Sequence, residues 1–296
     1  MNARAWFLLG LLALLWAGSF LSNRAALVEV GVLTTVAFRV AGGALALWLW
    51  IALRGLPVPR DPRLAGRFMI MGFLNNIIPF TLIVWGQTRV ESGLASILNA
   101  ATAIFAVLVA ALVFDDERLT VDKAAGVALG FAGVALATGA GALLALDPRA
   151  LGQIAVLGAS LSYALAAAYA RGAVRGLRPE VAAAGMLTAA SLVMVPAALL
   201  VEGVPGLAYA PATWAALFYL AFMASALAYL LYYAVLQAAG AGNLSLVTLL
   251  IPPVAIALGA AVYHEALPLH AYGGFALLAL GLLVLDGRLG WPGRRR

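Results

Sequence analysis

Polar and aromatic side chains recur at helical spacing inside stretches that are otherwise apolar. Trp16, Ser19 and Asn23 fall at i, i+3, i+7, and Ser92, Ser96 and Asn99 at i, i+4, i+7, with Thr102 continuing the stripe. Ser160, Tyr163 and Ala167 share a face, as do Ser245, Thr248 and Pro252; Asn75, Asn76 and Pro79 mark another stretch, and Tyr229, Tyr232, Tyr233 and Gln237 a sixth. Hydroxyl, amide and ring groups of this kind hold a small polar molecule by hydrogen bonding and stacking. They do not supply bond-breaking chemistry. All twelve acidic residues lie in loops or near segment ends, so no mid-segment carboxylate is present to act as an acid–base group or to carry a proton or Na⁺. No H-E-x-x-H or buried Ser-His-Asp set occurs. The chain has no cysteine, which excludes disulfides, iron–sulfur clusters and thiolate zinc sites. His264 and His270 flank one loop with Glu265 as the close carboxylate, too few ligands for a metal. Binding without catalysis is the expected chemistry, with no cofactor and no metal.

The elements that position these groups are membrane segments. Of 296 residues 65% are hydrophobic and 10% charged, with mean hydropathy +1.04, whereas a soluble protein carries roughly 25% charged residues. Ten apolar stretches run near 5–23, 32–53, 68–88, 93–114, 124–144, 152–173, 181–201, 212–237, 244–263 and 270–287, each about the 20 residues a spanning helix needs. Alternating ten-residue strands of a barrel are not seen. The longest loop, 54–67, leaves no room for a soluble domain. The predicted fold is therefore an all-α integral membrane protein with ten transmembrane helices. The first stretch, with Arg4 ahead of it and no A-x-A site before a polar region, reads as a retained helix rather than a signal peptide.

A polar face turned to lipid would leave its donors unsatisfied, so six such faces predict one shared polar–aromatic cavity. The candidate substrate contacts are Trp16 and Ser19 from the first stretch, Asn75, Asn76 and Pro79 from the third, and Ser96 and Asn99 from the fourth. Ser160 and Tyr163 come from the sixth, Tyr229 and Tyr232 from the eighth, and Ser245, Thr248 and Pro252 from the ninth. Pro79 and Pro252–Pro253 free backbone carbonyls in mid-segment, a common mark of a substrate site or hinge. Pro196 reads as a simple kink. Arg39 lies about two turns from the outer end of the second stretch; snorkelling to the interface is preferred there over contact with a substrate carboxylate.

The net charge of +6 reports topology rather than nucleic acid. With the N-terminus inside, fourteen Lys or Arg fall on the inner side and three (Arg24, Arg89, Arg149) on the outer side. That bias predicts both termini cytoplasmic. The Arg-, Ala- and Gly-rich composition points to a bacterial source and hence a bacterial inner membrane.

Two stretches 148 residues apart repeat the pattern E-x-L-x6-G-x-A-L-x3-G: Glu117, Leu119, Gly126, Ala128, Leu129, Gly133, and Glu265, Leu267, Gly274, Ala276, Leu277, Gly281. At offset 147 Trp16 falls on Tyr163, Ala17 on Ala164 and Arg24 on Arg171. The chain is expected to be two five-helix repeats, residues 1–145 and 146–296. Five crossings invert the second copy relative to the first. Gly126, Gly130 and Gly133, and likewise Gly274 and Gly281, form small-residue faces suited to close helix packing, so the fifth and tenth helices read as struts. The Gly139–Gly141 pair lacks a strand before it and is no nucleotide loop.

These residues resemble the drug/metabolite transporter superfamily, in its ten-helix EamA-type branch. The likeness rests on Leu15–Trp16–Ala17–Gly18–Ser19–Phe20, on Phe38–Arg39, and on the doubled Glu-x-Leu…Gly pattern. Two departures stand out. The family's proline 13 residues before the glutamate is Pro252 in the second half but Ile104 in the first, which predicts a straighter fourth helix; the seventh-helix counterpart of Arg39 is Met186. The resemblance implies a basket of two inverted repeats with substrate between helices 1, 3, 4, 6, 8 and 9, and helices 5 and 10 outside as supports or dimer contacts. It implies a carrier exporting small metabolites by alternating access, similar to the aromatic amino acid exporters, and no enzyme. The expected partners are the lipid bilayer and a small-molecule substrate, with no nucleic acid and a monomer or weak homodimer as the assembly. Without a buried counter-charge, low affinity, broad selectivity and uncoupled transport are expected. The alternatives are another substrate class (drugs, sugars or nucleotide derivatives), or a channel or scaffold.

Overall fold

The computed structural model describes residues 2–139 and 148–287, which are helical throughout their ordered elements, with no strand among them. The helices are α1 (Ala3–Ala26), α2 (Val32–Leu53), α3 (Arg63–Gln87), α4 (Ser92–Val113), α5 (Val121–Thr138), α6 (Pro148–Ala173), α7 (Pro179–Val201), α8 (Pro211–Ala239), α9 (Val247–Tyr263) and α10 (Leu269–Leu285). The first eight are long and apolar enough to cross a membrane; α9 and α10 have 17 residues each, roughly 25 Å at 1.5 Å per residue. The boundary at 145/146, Gly141 and the arginines at 288 and 294–296 lie outside the described residues.

The irregular turns have local causes. In α3 the turn Phe73–Ile77 is π-helical and leads into Pro79. Proline has no N–H to give and its ring crowds the carbonyl four residues back; the widened turn relieves that crowding. In α8 the π-helical stretch Tyr219–Leu227 contains no proline, and Ser225 Oγ donates to the Leu220 carbonyl at 2.9 Å. Adding the 148-residue offset places Phe73–Ile77 on 221–225, inside that second stretch.

Two proline expectations are corrected. Pro252 and Pro253 lie inside the uninterrupted α9; its discontinuity comes earlier, at Ser245–Leu246, after the short helix Ala241–Leu244. Conversely α4, predicted straighter for want of a proline, breaks at Ala100–Ala101 between Ser92–Asn99 and Thr102–Val113. Hydroxyls replace the proline. Thr102 Oγ1 donates to the Asn99 carbonyl at 2.7 Å, and Ser160 on α6 reaches the carbonyls of Leu98 and Asn99 at 3.2 and 3.4 Å. Thr248 Oγ1 makes the matching bond to the Ser245 carbonyl at 2.7 Å.

Packing follows a pattern that maps onto itself when each helix is exchanged for the one five places along. α2 pairs with α7, α5 with α10 and α4 with α9; α3–α6 is matched by α8–α1, α4–α6 by α9–α1, and α2–α8 by α7–α3. The glycine stripes face each other across the α5–α10 pair. A Cβ on Gly281 would lie 2.7 Å from the Gly126 carbonyl oxygen and 2.7 Å from the Gly130 nitrogen, and one on Gly133 would lie 2.7 Å from the Gly274 carbonyl oxygen. The backbones therefore touch, as small residues permit, and the stripes are consumed within one chain.

The two ends are tied differently. At one end three carboxylates cap the N-termini of neighbouring helices. Glu202 accepts from the Leu33 and Thr34 N–H groups at 3.0 and 2.8 Å. Glu29 accepts from the Ala210 N–H at 2.9 Å and the Thr213 hydroxyl, and the Thr213 bond, then the Ala210 N–H, hold its carboxyl below the usual range. Glu265, its side chain 3% exposed, accepts from the Ser92 and Gly93 N–H groups at 3.1 and 3.2 Å and pairs with Arg24, whose guanidinium lies over the Tyr263 ring. At the other end the repeat-equivalent Glu117, 37% exposed, meets Lys123 at 3.1 Å and Arg171 at 3.7 Å. The predicted alignment of Arg24 with Arg171 thus reappears as two equivalent Arg–Glu pairs, one with a buried carboxylate and one with a wet one.

Two outcomes follow. Glu265→Gln, which leaves Arg24 and two N–H groups short of a charged acceptor, is expected to lower stability by about 3 kcal/mol, whereas Glu117→Gln stays below about 1 kcal/mol; thermal midpoints in detergent distinguish them. Gly274→Val forces α5 and α10 apart and is expected to destabilise by about 2–3 kcal/mol, read the same way.

Candidate functional site

The π-helical turns carry polar groups into the centre of the bundle. Asn75 and Asn76 lie in the α3 turn and Ser225 in the α8 stretch. Asn75 Nδ2 donates to the Tyr229 hydroxyl at 2.9 Å, and that hydroxyl donates to Asn76 Oδ1 at 3.4 Å. Trp16 on α1 leans on Tyr232 with ring centroids 5.9 Å apart, and Tyr232 meets Tyr233 edge-on at 5.2 Å. Tyr163 packs against both large apolar clusters of the interior, one centred on α1, α4 and α9, the other on α2 and α7. Ser225, Tyr229 and Tyr232 fall at i, i+4, i+7, so one face of α8 carries all three contacts.

Other predicted site residues spend their hydroxyls locally. Ser19 donates to the Trp16 carbonyl at 2.7 Å, Ser96 to the Gly93 carbonyl at 2.6 Å, and Thr248 to the Ser245 carbonyl. Such back-bonding within a turn satisfies a hydroxyl without a partner helix. Ser245 is exposed and Pro252 is buried within α9. Ser160 braces the α4 break, Pro79 is buried just past the α3 π turn, and Asn99 carries a buried Oδ1 with no partner. Asn75, Asn76 and Tyr229 form one hydrogen-bonded set, Trp16 and Tyr232 one ring pair, and Ser96, Ser245, Thr248 and Pro252 join neither.

A groove of about 670 Å³ opens between α3, α4 and α6 at the Glu117 end, lined by Arg67, Leu74, Val109, Phe114, Leu165 and Tyr169 among others, and Arg171 sits over the Phe114 ring at its rim. No predicted site residue lines it, although Leu74 neighbours Asn75.

Two contributors were missed from sequence and a third was misplaced. Gln87 donates to the Phe20 carbonyl at 2.8 Å and accepts from Asn23 Nδ2 at 2.8 Å, tying α3 to α1; its place at a segment end concealed it. Ser225 is a lone hydroxyl in an apolar run. Arg39 was noticed but misplaced: it does not snorkel. Its residue is 6% exposed, its Nε–H donates to Ser225 Oγ at 3.1 Å, and its guanidinium lies 3.7 Å from the centre of the Phe80 ring.

Among the described residues no cluster of three or more His, Cys, Asp or Glu side chains forms a metal site.

Comparison with known proteins gives the family. The EamA-like transporter family matches twice, over residues 4–139 and 150–285. The chain is 30% identical over 296 residues to the "Probable terminal-alkyne amino-acid exporter" of Streptantibioticus cattleyicolor, covering 99% of this chain and 96% of that one. It is 27% identical over 283 residues to "Protein PagO" of Salmonella typhimurium (93% and 90%) and 21% identical over 273 residues to the "Uncharacterized transporter YoaV" of Bacillus subtilis (92% of each). One solved crystal structure shares the fold, with a TM-score of 0.69 at 18% identity over 96% of this chain and 98% of that chain. A bundle of apolar helices around a central amide–phenol–indole cluster, with the family pattern present once in each half, makes this chain a membrane transporter of the EamA-like family within the drug/metabolite transporter superfamily.

Proposed function

We propose that the protein exports neutral amino acids, aromatic ones included, and related small metabolites across a bacterial inner membrane. The observation that carries this reading is the Asn75–Tyr229–Asn76 set beside the Trp16–Tyr232 ring pair. Amides and phenols suit amino and carboxylate groups, and rings suit apolar side chains of varied size. The amino-acid exporter from Streptantibioticus supports the same substrate class.

The carrier architecture extends the reading. The double family match and the helix-exchange pattern of packing support two five-helix repeats, 1–145 and 146–296, the second inverted, with α9 and α10 as ninth and tenth crossings. The Lys and Arg distribution supports cytoplasmic termini. Under that topology the Arg24–Glu265 pair, with its buried carboxylate, closes the periplasmic side, while the wet Arg171–Glu117 pair and the groove beside it face the cytoplasm. Alternating access is then an exchange of which carboxylate is buried. Among the described residues every carboxylate belongs to a helix end or loop, which supports uncoupled movement down a gradient, with low affinity and broad selectivity. The chain works as a monomer or weak homodimer, since its small-residue faces are used internally.

Counterflow in proteoliposomes with labelled threonine, methionine, phenylalanine and tryptophan tests the proposal. Saturable exchange of several of these, unchanged by an imposed pH gradient, is expected. No flux above empty liposomes from folded protein would discard the amino-acid class, and non-saturating flux without trans-stimulation would indicate a channel. Trp16→Ala and Asn99→Ala are expected to lower exchange about tenfold, the loss of one ring contact or buried polar group, at unchanged membrane abundance; wild-type exchange in both would refute the cavity assignment.

A further inference from the structure

Arg39 is a cation in the wrong place for a purely structural role. An arginine stays protonated in a protein, so it has no route to neutrality on burial. Among the described residues its five N–H donors meet one acceptor, Ser225 Oγ, and its flat face meets the Phe80 ring. No carboxylate lies within 4 Å of it among the described residues; the ion pairs found there all involve other cations. The ionisable side chains within electrostatic reach of it are the tyrosines Tyr163, Tyr229 and Tyr219. A ring face offsets part of the lost hydration, and one neutral hydroxyl a little more, but neither matches a counter-ion for a charge held at membrane depth. Its remaining N–H donors, set in a planar fork, are complementary to a carboxylate.

The surroundings extend this fork into a site. Asn76, one turn before Phe80 on α3, has a buried Nδ2 with no partner, a second donor awaiting an acceptor. Along α8, Ser225 marks the guanidinium, Tyr229 the amides and Tyr232 the indole, over two turns or roughly 10 Å. An amino acid laid along that face would meet charge first, amides next and rings last.

We propose that Arg39 is the docking group for the substrate carboxylate, its fork oriented by Ser225 and Phe80, so that the carrier accepts carboxylate-bearing substrates and rejects their amides and amines. This rests on the amino-acid reading above.

The test is competition against counterflow of labelled phenylalanine by unlabelled phenylalanine, 3-phenylpropionate, phenylalaninamide and phenethylamine. In the wild type the two carboxylates are expected to compete at least about tenfold better than the amide and amine, the scale of a charge-assisted pair. Arg39→Gln should lower phenylalanine exchange and erase the gap. Arg39→Lys, which keeps charge without the fork, should keep a reduced gap. Ser225→Ala should raise KM several-fold at unchanged maximal rate, and carries the test if Arg39→Gln does not fold. An amide that competes as well as phenylalanine in the wild type, or a full gap retained in Arg39→Gln or a wild-type KM in Ser225→Ala, overturns the docking role while amino-acid export stands. Absence of any amino-acid exchange in the wild type overturns export itself and this role with it.

Discussion

The carboxylate of Glu265 organises the molecule. It stands at the end of α9, yet it closes the first turn of α4 through two backbone N–H groups and holds Arg24 at the end of α1. Three helices from both halves of the chain therefore meet on one side chain. A helix N-terminus presents unpaired N–H groups and a partial positive charge, so an anion there is held by backbone and guanidinium together. Glu202 and Glu29 repeat the device for α2 and α8. The end of the bundle thus gathered is stitched by carboxylates acting on helix termini, more than by side-chain ion pairs, which contribute little at a surface.

The opposite end lacks the stitch. Glu117 is the same residue in the same repeat position, but among the bonds described it meets only the cations of Lys123 and Arg171. The difference is one of surroundings, not of chemistry. Between the ends, the interior is divided into two apolar clusters with Tyr163 touching both. Its ring bridges bodies that a rocking motion would displace against each other.

Much of this was legible in the chain. Eight of the ten apolar stretches became helices long enough to cross a membrane and two became shorter apolar helices, and the doubled Glu and Gly pattern became the paired Arg–Glu contacts and the α5–α10 interlock, because hydropathy and small-residue spacing act locally and survive into packing. Asn75, Asn76 and Tyr229 joined in one hydrogen-bonded set and Trp16 and Tyr232 in one ring pair, because lipid offers polar groups no partner. The small hydroxyls did not. Ser19, Ser96 and Thr248 turned inward onto their own helices, a choice that depends on rotamer and neighbour, neither visible in spacing. Arg39 was misread for a similar reason: depth along a helix does not say whether the stem can reach the interface past its neighbours, and Phe80 and Ser225 block that path. Proline misled about bends, since α9 absorbs Pro252 and Pro253 while α4 breaks without one.

That break in α4 has a consequence of its own. A kink made by proline is permanent, because the missing donor and the ring clash are covalent facts. The interruption at Ala100–Ala101 is held by hydroxyls, Thr102 from within and Ser160 from α6. Each such bond is worth on the order of 1 kcal/mol, little more than thermal energy. The first half of the chain therefore has a joint that α6 can latch and unlatch. The second half has a break of its own at Ser245–Leu246, held from within by the Thr248 hydroxyl.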